Sequence, residues 1–297
     1  MPLELNLEYY RAFYYVGRLN SISKAADTLF LSQPAVTQSI KKLENHFACK
    51  LFSRTAKGMI LTNEGELLFS HVAKAMEDLM TGEKELNRMI KFEIGKLEIG
   101  ATETALYHYL IPKIEAFRQS HPDIYMNVMG SSTPETIHML RNGNVDLAFA
   151  VSPIPDAEDI IITKVLDFHD ILIAGSAYKN LQNRLVSINE VSDLPLVTVE
   201  KGTSAREHLD LWFEEHGILL DPEYSVRTST TVLPFVERNL AIGIVPSMFA
   251  QELIQQGRVF QLNVEKVIPP RSIVMMSKSD SKMSLLCKHF ISYLSDC

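Results

Sequence analysis

Apolar positions recur at helical spacing between residues 20 and 61 of this 297-residue chain. Spacings of three and four predict two short helices separated by a three-residue turn. Ser32 is a favourable N-cap for the second helix, and Pro34 fits its first turn, where a missing N–H costs nothing. The inner faces are formed by Ala25, Ala26, Leu29, Val36, Ile40 and Leu43. Two helices joined in this way predict a helix-turn-helix.

The segments on either side complete a small domain. Residues 7–16 are predicted to form a further helix, and its inner face is expected to consist of Leu7, Tyr10, Phe13 and Tyr14. Residues 50–61 place apolar residues on both sides of a polar turn at Lys57-Gly58, which predicts a two-stranded wing.

A long helix is predicted to follow, from about residue 63 to residue 92. Thr62 or Asn63 is its expected cap, and Asn63 and Glu66 have the spacing of a capping box. A heptad seam runs along this helix through Leu68, Val72, Ala75, Leu79, Gly82, Leu86 and Met89. Because the helix is longer than most globular helices, the seam predicts packing against a partner helix.

Strands alternate with helices from Gly95 onwards. This alternation favours parallel sheets with helices on both faces, and the number of strands predicts two α/β lobes. The predicted strands cover residues 96–101, 124–129, 145–151, 166–174, 196–199, 224–227, 240–245 and 272–277. The predicted helices cover residues 106–120, 134–142, 204–216 and 283–294.

A longer motif extends from residue 25 to residue 66. It consists of Ala25-Ala26-x-x-Leu29-x-x-Ser32-Gln33-Pro34-Ala35-Val36-Thr37-x-x-Ile40-x-x-Leu43-Glu44, then Leu51-Phe52-x-Arg54 and Leu61-Thr62-x-x-Gly65-Glu66. This motif resembles the DNA-binding domain of the LysR-type transcriptional regulators. The resemblance implies an all-α winged helix-turn-helix domain over residues 1–63 and a linker and dimerisation helix over residues 64–92. It also implies a two-lobed α/β effector-binding domain over residues 95–297, similar to type 2 periplasmic binding proteins.

The resemblance further divides the effector-binding domain. Lobe one is expected to comprise residues 95–164 and 269–297, and lobe two residues 165–268. The hinge is expected near residues 163–166 and 267–270, where the turn-prone pair Pro269-Pro270 fits a connector.

The charge distribution agrees with a DNA-binding head. The net charge of the whole chain is −7, which taken alone argues against nucleic acid. Residues 1–64, however, hold eight Lys and Arg against five Asp and Glu, and the remaining residues hold 21 against 31. A head of net charge +3 on a body of −10 is expected of a regulator whose body does not bind DNA.

The outer face of the second helix predicts the DNA contacts. Gln33, Thr37 and Gln38 are expected to face base edges in the major groove, with Ser32 and Pro34 beside them. The residues expected to neutralise phosphates are Lys41, Lys42, Arg54 and Lys57. Dimerisation makes a pseudo-palindromic site the expected target.

Small hydroxyl residues follow the predicted strand ends, where ligands of α/β lobes bind near helix N-termini. The candidate effector-binding residues are Thr102, Glu103, Thr104, Ser131, Ser132, Thr133, Gly202, Thr203, Ser204 and Thr230. Hydroxyls and free N–H groups suit an anion, and the resemblance also implies a small anionic effector. Arg206 or Arg227 is a candidate counter-charge, whereas Glu103 suits an amine and leaves an amino-acid-like effector open.

Motifs of other classes are missing from the sequence. There is no Walker loop, G-x-S-x-G or H-E-x-x-H, so no enzyme activity, cofactor or metal is expected, and His208 and His216 lack ligand spacing. Cys49, Cys287 and Cys297 are too widely spaced for a disulfide framework, although a redox role of the last two stays open. Without a membrane-length apolar run or a leader, a cytoplasmic protein is expected.

Two hypotheses follow from these patterns. The first is a homodimeric or homotetrameric transcription regulator that binds double-stranded DNA and a small-molecule effector, with RNA polymerase as a further candidate partner and no membrane contact. The second is a two-lobed small-molecule-binding protein or enzyme whose amino-terminal region serves only for dimerisation. The missing signal peptide argues against an exported receptor of the second kind.

Overall fold

The structure is a computed structural model, which describes residues 5–55, 58–154, 159–279 and 283–296. It divides into two compact units, Met1–Met89 and Ile90–Cys297. Helices dominate the first unit, and two five-stranded sheets flanked by helices form the second. Within the described ranges, no helix combines the length and the apolar character that crossing a membrane requires.

Four helices and a two-stranded wing make up the amino-terminal part of the chain. In chain order they are α1 (Leu7–Leu19), α2 (Ile22–Leu29), α3 (Gln33–Phe47), β1 (Phe52–Thr55), β2 (Gly58–Leu61) and α4 (Asn63–Ile90). The side chains of Asn6, Ser21 and Ser32 accept hydrogen bonds from N–H groups in the first turns of α1, α2 and α3. Each helix therefore begins where the sequence supplies an oxygen for amides that lack a partner inside the helix. The predicted helix-turn-helix and wing are confirmed.

The core between α1, α2 and α3 contains the predicted apolar positions with one exception. Phe13, Val36 and Leu43 are fully buried. Leu7, predicted for the inner face of α1, is exposed because it borders an open groove between α1 and α4. Val16 is buried in the core instead.

The wing is fixed to the turn between α1 and α2. Its strands pair antiparallel, with Thr55 opposite Gly58. The N–H of Met59 donates to the carbonyl of Asn20 at 3.0 Å. Gly58 has a φ of +113°, and a Cβ atom there would lie 2.4 Å from the same carbonyl oxygen. This position requires glycine, so the placement of the wing depends on Gly58.

Thr62 is the residue that caps α4. Its hydroxyl accepts a hydrogen bond from the N–H of Gly65 at 3.0 Å and donates to the carbonyl of Lys50 at 2.7 Å. Asn63 is already inside the helix, so the predicted capping box of Asn63 and Glu66 is wrong. Thr62 is the cap because its hydroxyl bonds both an N–H group in the first turn of α4 and a carbonyl in the loop before the wing.

Two five-stranded sheets define two lobes in the second unit. The strands of lobe one are β3 (Gly95–Ala101), β4 (Ile124–Gly130), β5 (Leu147–Val151), β6 (Ile161–Phe168) and β14 (Arg271–Ser277). Those of lobe two are β7 (Asp170–Gly175), β9 (Leu196–Val199), β10 (Tyr224–Val226), β11 (Ile242–Pro246) and β12 (Val259–Gln261). A short ladder joins β8 (Leu185–Val186) and β13 (Asn263–Val264). The strand orders are β4-β3-β5-β14-β6 and β10-β9-β11-β7-β12.

Helices cover both faces of these sheets. They are α5 (Glu103–Ala105), α6 (Ile111–Ser120), α7 (Thr133–Asn142), α8 (Ile188–Ser192), α9 (Ser204–Glu214), α10 (Ser229–Glu237), α11 (Ser247–Gln255) and α12 (Leu285–Asp296). A π-helical turn, Leu106–Leu110, joins α5 to α6, and a 3₁₀ helix, Ser176–Leu181, follows β7. The central strands β5 and β11 are buried at every residue, as strands covered on both faces should be.

Both sheets are mixed, which corrects the prediction of parallel sheets. In lobe one, β3 runs parallel to β4 and β5, but β14 runs antiparallel to β5 and β6. In lobe two, β9 runs parallel to β10 and β11, but β7 runs antiparallel to β11 and β12. The antiparallel strands β7 and β14 are those that follow a passage between the lobes, where no crossover helix is needed.

The first passage between the lobes lies at His169. The sequence predicts a single strand over residues 166–174 and a hinge near residues 163–166. Instead, Ile161–Phe168 belongs to the sheet of lobe one and Asp170–Gly175 to that of lobe two. Lobe one therefore extends past its predicted end, because an apolar run continues across the point where the chain changes sheets.

A buried ion pair joins the two passages. The second passage, between β13 and β14, contains residues 267–270. Directly after it, the guanidinium of Arg271 donates two hydrogen bonds of 2.7 Å to the carboxylate of Asp170, and both side chains are buried. The guanidinium also lies 5.0 Å from the ring centroid of Phe168. The residues that begin β7 and β14 are thus held together where the lobes meet.

Candidate functional site

The exposed face of α3 groups five of the predicted DNA-binding residues. It forms a shallow hollow of about 480 Å³, lined by Gln33, Pro34, Thr37, Gln38 and Lys41. The apolar stripe through Val36, Ile40 and Leu43 is buried on the opposite side. An exposed helix face with amide, hydroxyl and ammonium groups suits the donors and acceptors of a major groove.

Three of the predicted DNA-binding side chains have partners within the unit. The Ser32 hydroxyl accepts from the N–H of Ala35 at 3.4 Å, and the Thr37 hydroxyl donates to the carbonyl of Gln33 at 2.8 Å. The Lys42 ammonium donates to the Tyr9 hydroxyl at 2.8 Å and lies 4.9 Å from that ring centroid. This contact directs Lys42 toward α1 and away from the hollow.

The wing contributes one described candidate. Arg54 is exposed in β1, opposite Met59. Lys57, the other predicted phosphate contact of the wing, lies outside the described residues.

Glu44 fixes the end of α3, a role that the motif alone did not reveal. Its carboxylate is buried and accepts hydrogen bonds from the Lys50 ammonium at 2.8 Å and from the N–H of Leu51 at 3.0 Å. Burial raises the pKa of Glu44, but the hydrogen bonds from Lys50 and Leu51 outweigh it and hold the pKa below its usual value. The ionised carboxylate therefore ties the end of α3 to the segment before the wing.

An apolar groove of about 690 Å³ lies between α1 and α4, and we call it the seam groove. Its lining includes Leu7, Tyr10, Leu68, Val72, Ala75, Leu79 and Met80. The heptad seam divides along α4, since Val72 is buried against the helix-turn-helix core while Leu79, Leu86 and Met89 are exposed. Gly82 has open space around it.

A cleft of about 600 Å³ lies between the two lobes of the second unit. It is lined by nine of the ten predicted effector-binding residues: Thr102, Glu103, Thr104, Ser131, Ser132, Thr133, Gly202, Thr203 and Ser204. Further lining residues that the sequence did not indicate are Glu135, Glu200, Lys201 and Arg271. The N-termini of α7, α9 and α10 all face this cleft, as the strand-end argument predicts.

Hydroxyl groups in lobe one differ in how far they are satisfied. Ser132 and Glu135 form a capping box at the start of α7, and the hydrogen bonds from Ser132 hold the pKa of Glu135 below its usual value. Ser131 lies 2.6 Å, oxygen to oxygen, from the hydroxyl of Thr136. The Thr102 hydroxyl, on a residue that is only 9% exposed, has no hydrogen-bond partner. An unpartnered buried hydroxyl is costly unless a ligand satisfies it.

Two hydrogen-bonded contacts cross the cleft. The Ser204 hydroxyl of α9 donates to the Thr133 hydroxyl of α7 at 2.9 Å. The Glu103 carboxylate accepts from the N–H of Ser229 at 3.0 Å and from the hydroxyl of Thr230 at 2.5 Å. Thr230, the tenth predicted residue, does not line the cleft but reaches it through this bond.

One predicted counter-charge is corrected. Arg206 is buried, donates to Asp210 at 2.8 Å and bonds the carbonyls of Val199 and Leu220. It holds α9 on its sheet and does not line the cleft, because its guanidinium is engaged by Asp210 and by these two carbonyls. Arg227 is exposed and lines the cleft, as predicted of the alternative candidate.

Two of the histidines and one of the cysteines singled out in the sequence make hydrogen bonds within the fold or are buried. The ring of His208 bonds the carbonyl of Pro269 at 3.1 Å, and that of His216 bonds the carbonyl of Trp212 at 2.7 Å. The Cys287 thiol is buried, which raises its pKa to about 12 and disfavours the reactive thiolate. Cys297 lies outside the described residues. Among the described residues, no three His, Cys, Asp or Glu side chains are placed to hold a metal ion.

Two family profiles match this chain. Residues 7–66 match the bacterial regulatory helix-turn-helix protein, lysR family, and residues 92–296 match the LysR substrate binding domain. Among similar proteins, the HTH-type transcriptional regulator GltR of Bacillus subtilis is 24% identical over 292 residues, which cover 98% of this chain and 97% of that protein. The RuBisCO operon transcriptional regulator of Allochromatium vinosum is 24% identical over 283 residues, covering 95% and 93% respectively.

Solved structures share the fold along the whole chain. The crystal structure of CbnR, a LysR family transcriptional regulator, has a TM-score of 0.72 at 19% identity and covers 98% of this chain and 100% of that chain. Full-length CbnR complexed with its target DNA has a TM-score of 0.73 at 17% identity, covering 98% and 99%.

Proposed function

Because this chain belongs to the LysR family of transcriptional regulators, we propose that α3 recognises operator DNA and that the cleft of the second unit binds the effector. The observation that carries the DNA-binding role is the hollow on α3, which groups Gln33, Thr37 and Gln38 beside Lys41. Amide and hydroxyl side chains recognise base edges, and phosphates are the proposed partners of the cationic side chains Lys41, Lys42, Arg54 and Lys57.

Replacing Gln38 by Ala tests this assignment. Specific affinity should fall by about 1–3 kcal/mol, since the amide can pair with a base edge, while non-specific affinity stays nearly constant. Gel shifts in a salt titration measure the specific affinity with DNA from upstream of the protein's own gene and the non-specific affinity with scrambled DNA.

Asn45→Ala is the matched control, because Asn45 is an exposed amide on the same helix outside the hollow. Equal losses of specific and non-specific binding in the Gln38 variant would show that Gln38 does not contact bases.

The seam groove supports a homodimer. An apolar groove beside exposed Leu79, Leu86 and Met89 offers a second α4 a continuous surface to pack on. Two recognition helices in one dimer make a pseudo-palindromic operator the expected target. A homotetramer requires a further interface between two such dimers.

The cleft supports a small effector with at least one anionic group. It combines three helix N-termini with Lys201, Arg227 and the unpartnered Thr102 hydroxyl. A thermal-shift screen of the full-length chain with small carboxylates, inorganic oxyanions and amino acids tests this role. Stabilisation by cationic compounds alone would contradict it.

The remaining assignments follow from the regulatory role. A chromosomal operator places the working protein in the cytoplasm. Its contribution is binding rather than catalysis, with no resident cofactor, and RNA polymerase is the partner through which a bound regulator changes transcription. Loss of promoter response without loss of operator binding, in variants outside α3, would identify that contact.

A further inference from the structure

Helix α10 lacks a cap from its own sequence. Thr228 occupies the N-cap position, but its side chain makes no capping hydrogen bond, and its hydroxyl instead lies 2.8 Å from that of Thr231. The first N–H groups of a helix have no partner inside it and carry the positive end of the helix dipole. The start of α10 therefore attracts a negatively charged group from elsewhere.

Glu103 supplies that group from the other lobe. Its two carboxylate oxygens bond the N–H of Ser229 at 3.0 Å and the hydroxyl of Thr230 at 2.5 Å. Glu103 begins α5 in lobe one, whereas α10 belongs to lobe two, so the contact spans the cleft. The Glu103 carboxylate thus occupies the position at the start of α10 that the carboxylate of a bound ligand would take, with both oxygens hydrogen-bonded.

We propose that Glu103 is a built-in anionic occupant of the cleft, which a small carboxylate or oxyanion effector must displace from the start of α10. This inference rests on the proposed effector role of the cleft. Two carboxylates cannot share the same two donors, and their like charges repel at this separation. Binding of the effector therefore exchanges one carboxylate for another and releases the Glu103 contact between the lobes.

A second observation points to a ligand at the same place. Thr102 directly precedes Glu103, lines the cleft, and has a buried hydroxyl without a partner. An anion that replaces the Glu103 carboxylate in the cleft gains this donor in addition to those of α10. The Ser204–Thr133 bond, which joins two hydroxyl groups, also crosses the cleft.

The first test is hydrogen exchange at Ser229 in the full-length chain without effector. In Glu103→Gln, which keeps the side-chain shape but loses the charge, exchange of the Ser229 amide should accelerate about tenfold, the cost of weakening a hydrogen bond to a charged acceptor. Glu135→Gln is the matched control, since Glu135 lines the same cleft but bonds Ser132 in its own lobe. Unchanged Ser229 exchange in Glu103→Gln would overturn the proposal.

The second test is calorimetric titration with sulfate and succinate as anionic probes and putrescine as a cationic probe. Removal of the competing carboxylate should tighten binding of an anionic probe to Glu103→Gln about tenfold relative to Glu135→Gln, although both variants remove one negative charge. No difference between the variants, or no binding of either anion to Glu103→Gln, would overturn displacement.

The putrescine titration tests the opposite role of Glu103, in which its carboxylate binds an amine. If putrescine binds the wild-type chain and not Glu103→Gln, Glu103 is an amine receptor and the proposal is wrong. Failure of these tests leaves the DNA-binding role unaffected, because the Gln38 gel shift measures that role independently.

Discussion

Single buried polar residues determine where the functional elements lie. Glu44 ties the end of α3 to the segment before the wing through Lys50 and the N–H of Leu51. Arg206 holds α9 on its sheet by bonding two backbone carbonyls. Both charged side chains satisfy buried groups, so their removal leaves donors or acceptors unpaired.

Replacing Glu44 by Gln should therefore destabilise the amino-terminal unit by about 1.5–3 kcal/mol, the range for hydrogen bonds to charged groups. Urea denaturation of the full-length chain, followed by helical circular dichroism, measures the effect. Glu8→Gln is the control, because the Glu8–Arg11 pair is exposed and should contribute less than about 1 kcal/mol. Equal stability of the two variants would contradict the role assigned to Glu44.

Three histidines predict a dependence of stability on pH. Burial lowers the pKa of His108, His208 and His289 below the usual 6.5, and Arg271 and His121 lower it further at His208 and His289 respectively. Just below pH 6.5, these histidines therefore bind fewer protons in the folded state than in the unfolded state. The stabilising contribution is complete above pH 6.5 and is lost as the pH falls from 6.5 toward the folded pKa values.

The melting temperature of the second unit should accordingly stay level between pH 8 and 7 and fall between pH 6.5 and 5. Differential scanning calorimetry measures it, and His289→Gln should reduce the slope. Carboxylates with lowered pKa, such as Glu98 and Asp167, act only at lower pH. A level melting temperature down to pH 5 would refute the histidine argument.

At the scale of elements, the sequence predicted those helix and strand boundaries that are determined by neighbouring residues in the chain. The start of α3 follows from Ser32 and Pro34, and the wing from apolar residues around a turn. The break at His169 could not be found in this way, since both strands are apolar and only tertiary packing assigns them to different sheets. The cleft was predicted from residues after strands, but the Glu103–Ser229 contact joins residues 126 positions apart and depends on how the lobes close.

The seam of α4 gives the prediction at this scale. Leu79 lies in the seam groove and is 60% exposed, so Leu79→Glu should leave the fold intact but place a charge in the dimer interface. Light scattering after gel filtration should show a monomer at micromolar concentration. Leu67→Glu adds the same charge at a position that is 68% exposed on the same helix outside the groove, and should stay dimeric. A dimeric Leu79→Glu would place the interface elsewhere.

At the scale of the whole molecule, few cations and two copies must together provide the affinity for DNA. The net charge of residues 1–64 is only +3, while the remainder carries −10. Phosphate neutralisation scales with the number of cations at the backbone, so one head alone binds weakly. In the second unit, Asp170 and Arg271 hold the lobes at their passages while the hydrogen bonds across the cleft remain exchangeable. The buried ion pair thus fixes the passages between the lobes, and the proposed effector acts on the cleft.

The small number of cations in each head, together with dimerisation, predicts how DNA binding depends on salt. If each subunit places Lys41, Lys42, Arg54 and Lys57 on phosphates, the logarithm of the binding constant should fall with the logarithm of salt concentration with a slope of about −7 for the dimer. Leu79→Glu should show about half that slope, because a monomer contributes one head, and Leu67→Glu should keep the full slope although it adds the same negative charge. Fluorescence anisotropy with operator DNA between 50 and 200 mM salt, about a ten-thousandfold range of affinity for the dimer, resolves the difference. A full slope in monomeric Leu79→Glu would mean that a single head makes all the phosphate contacts, and the dimer would then serve spacing alone.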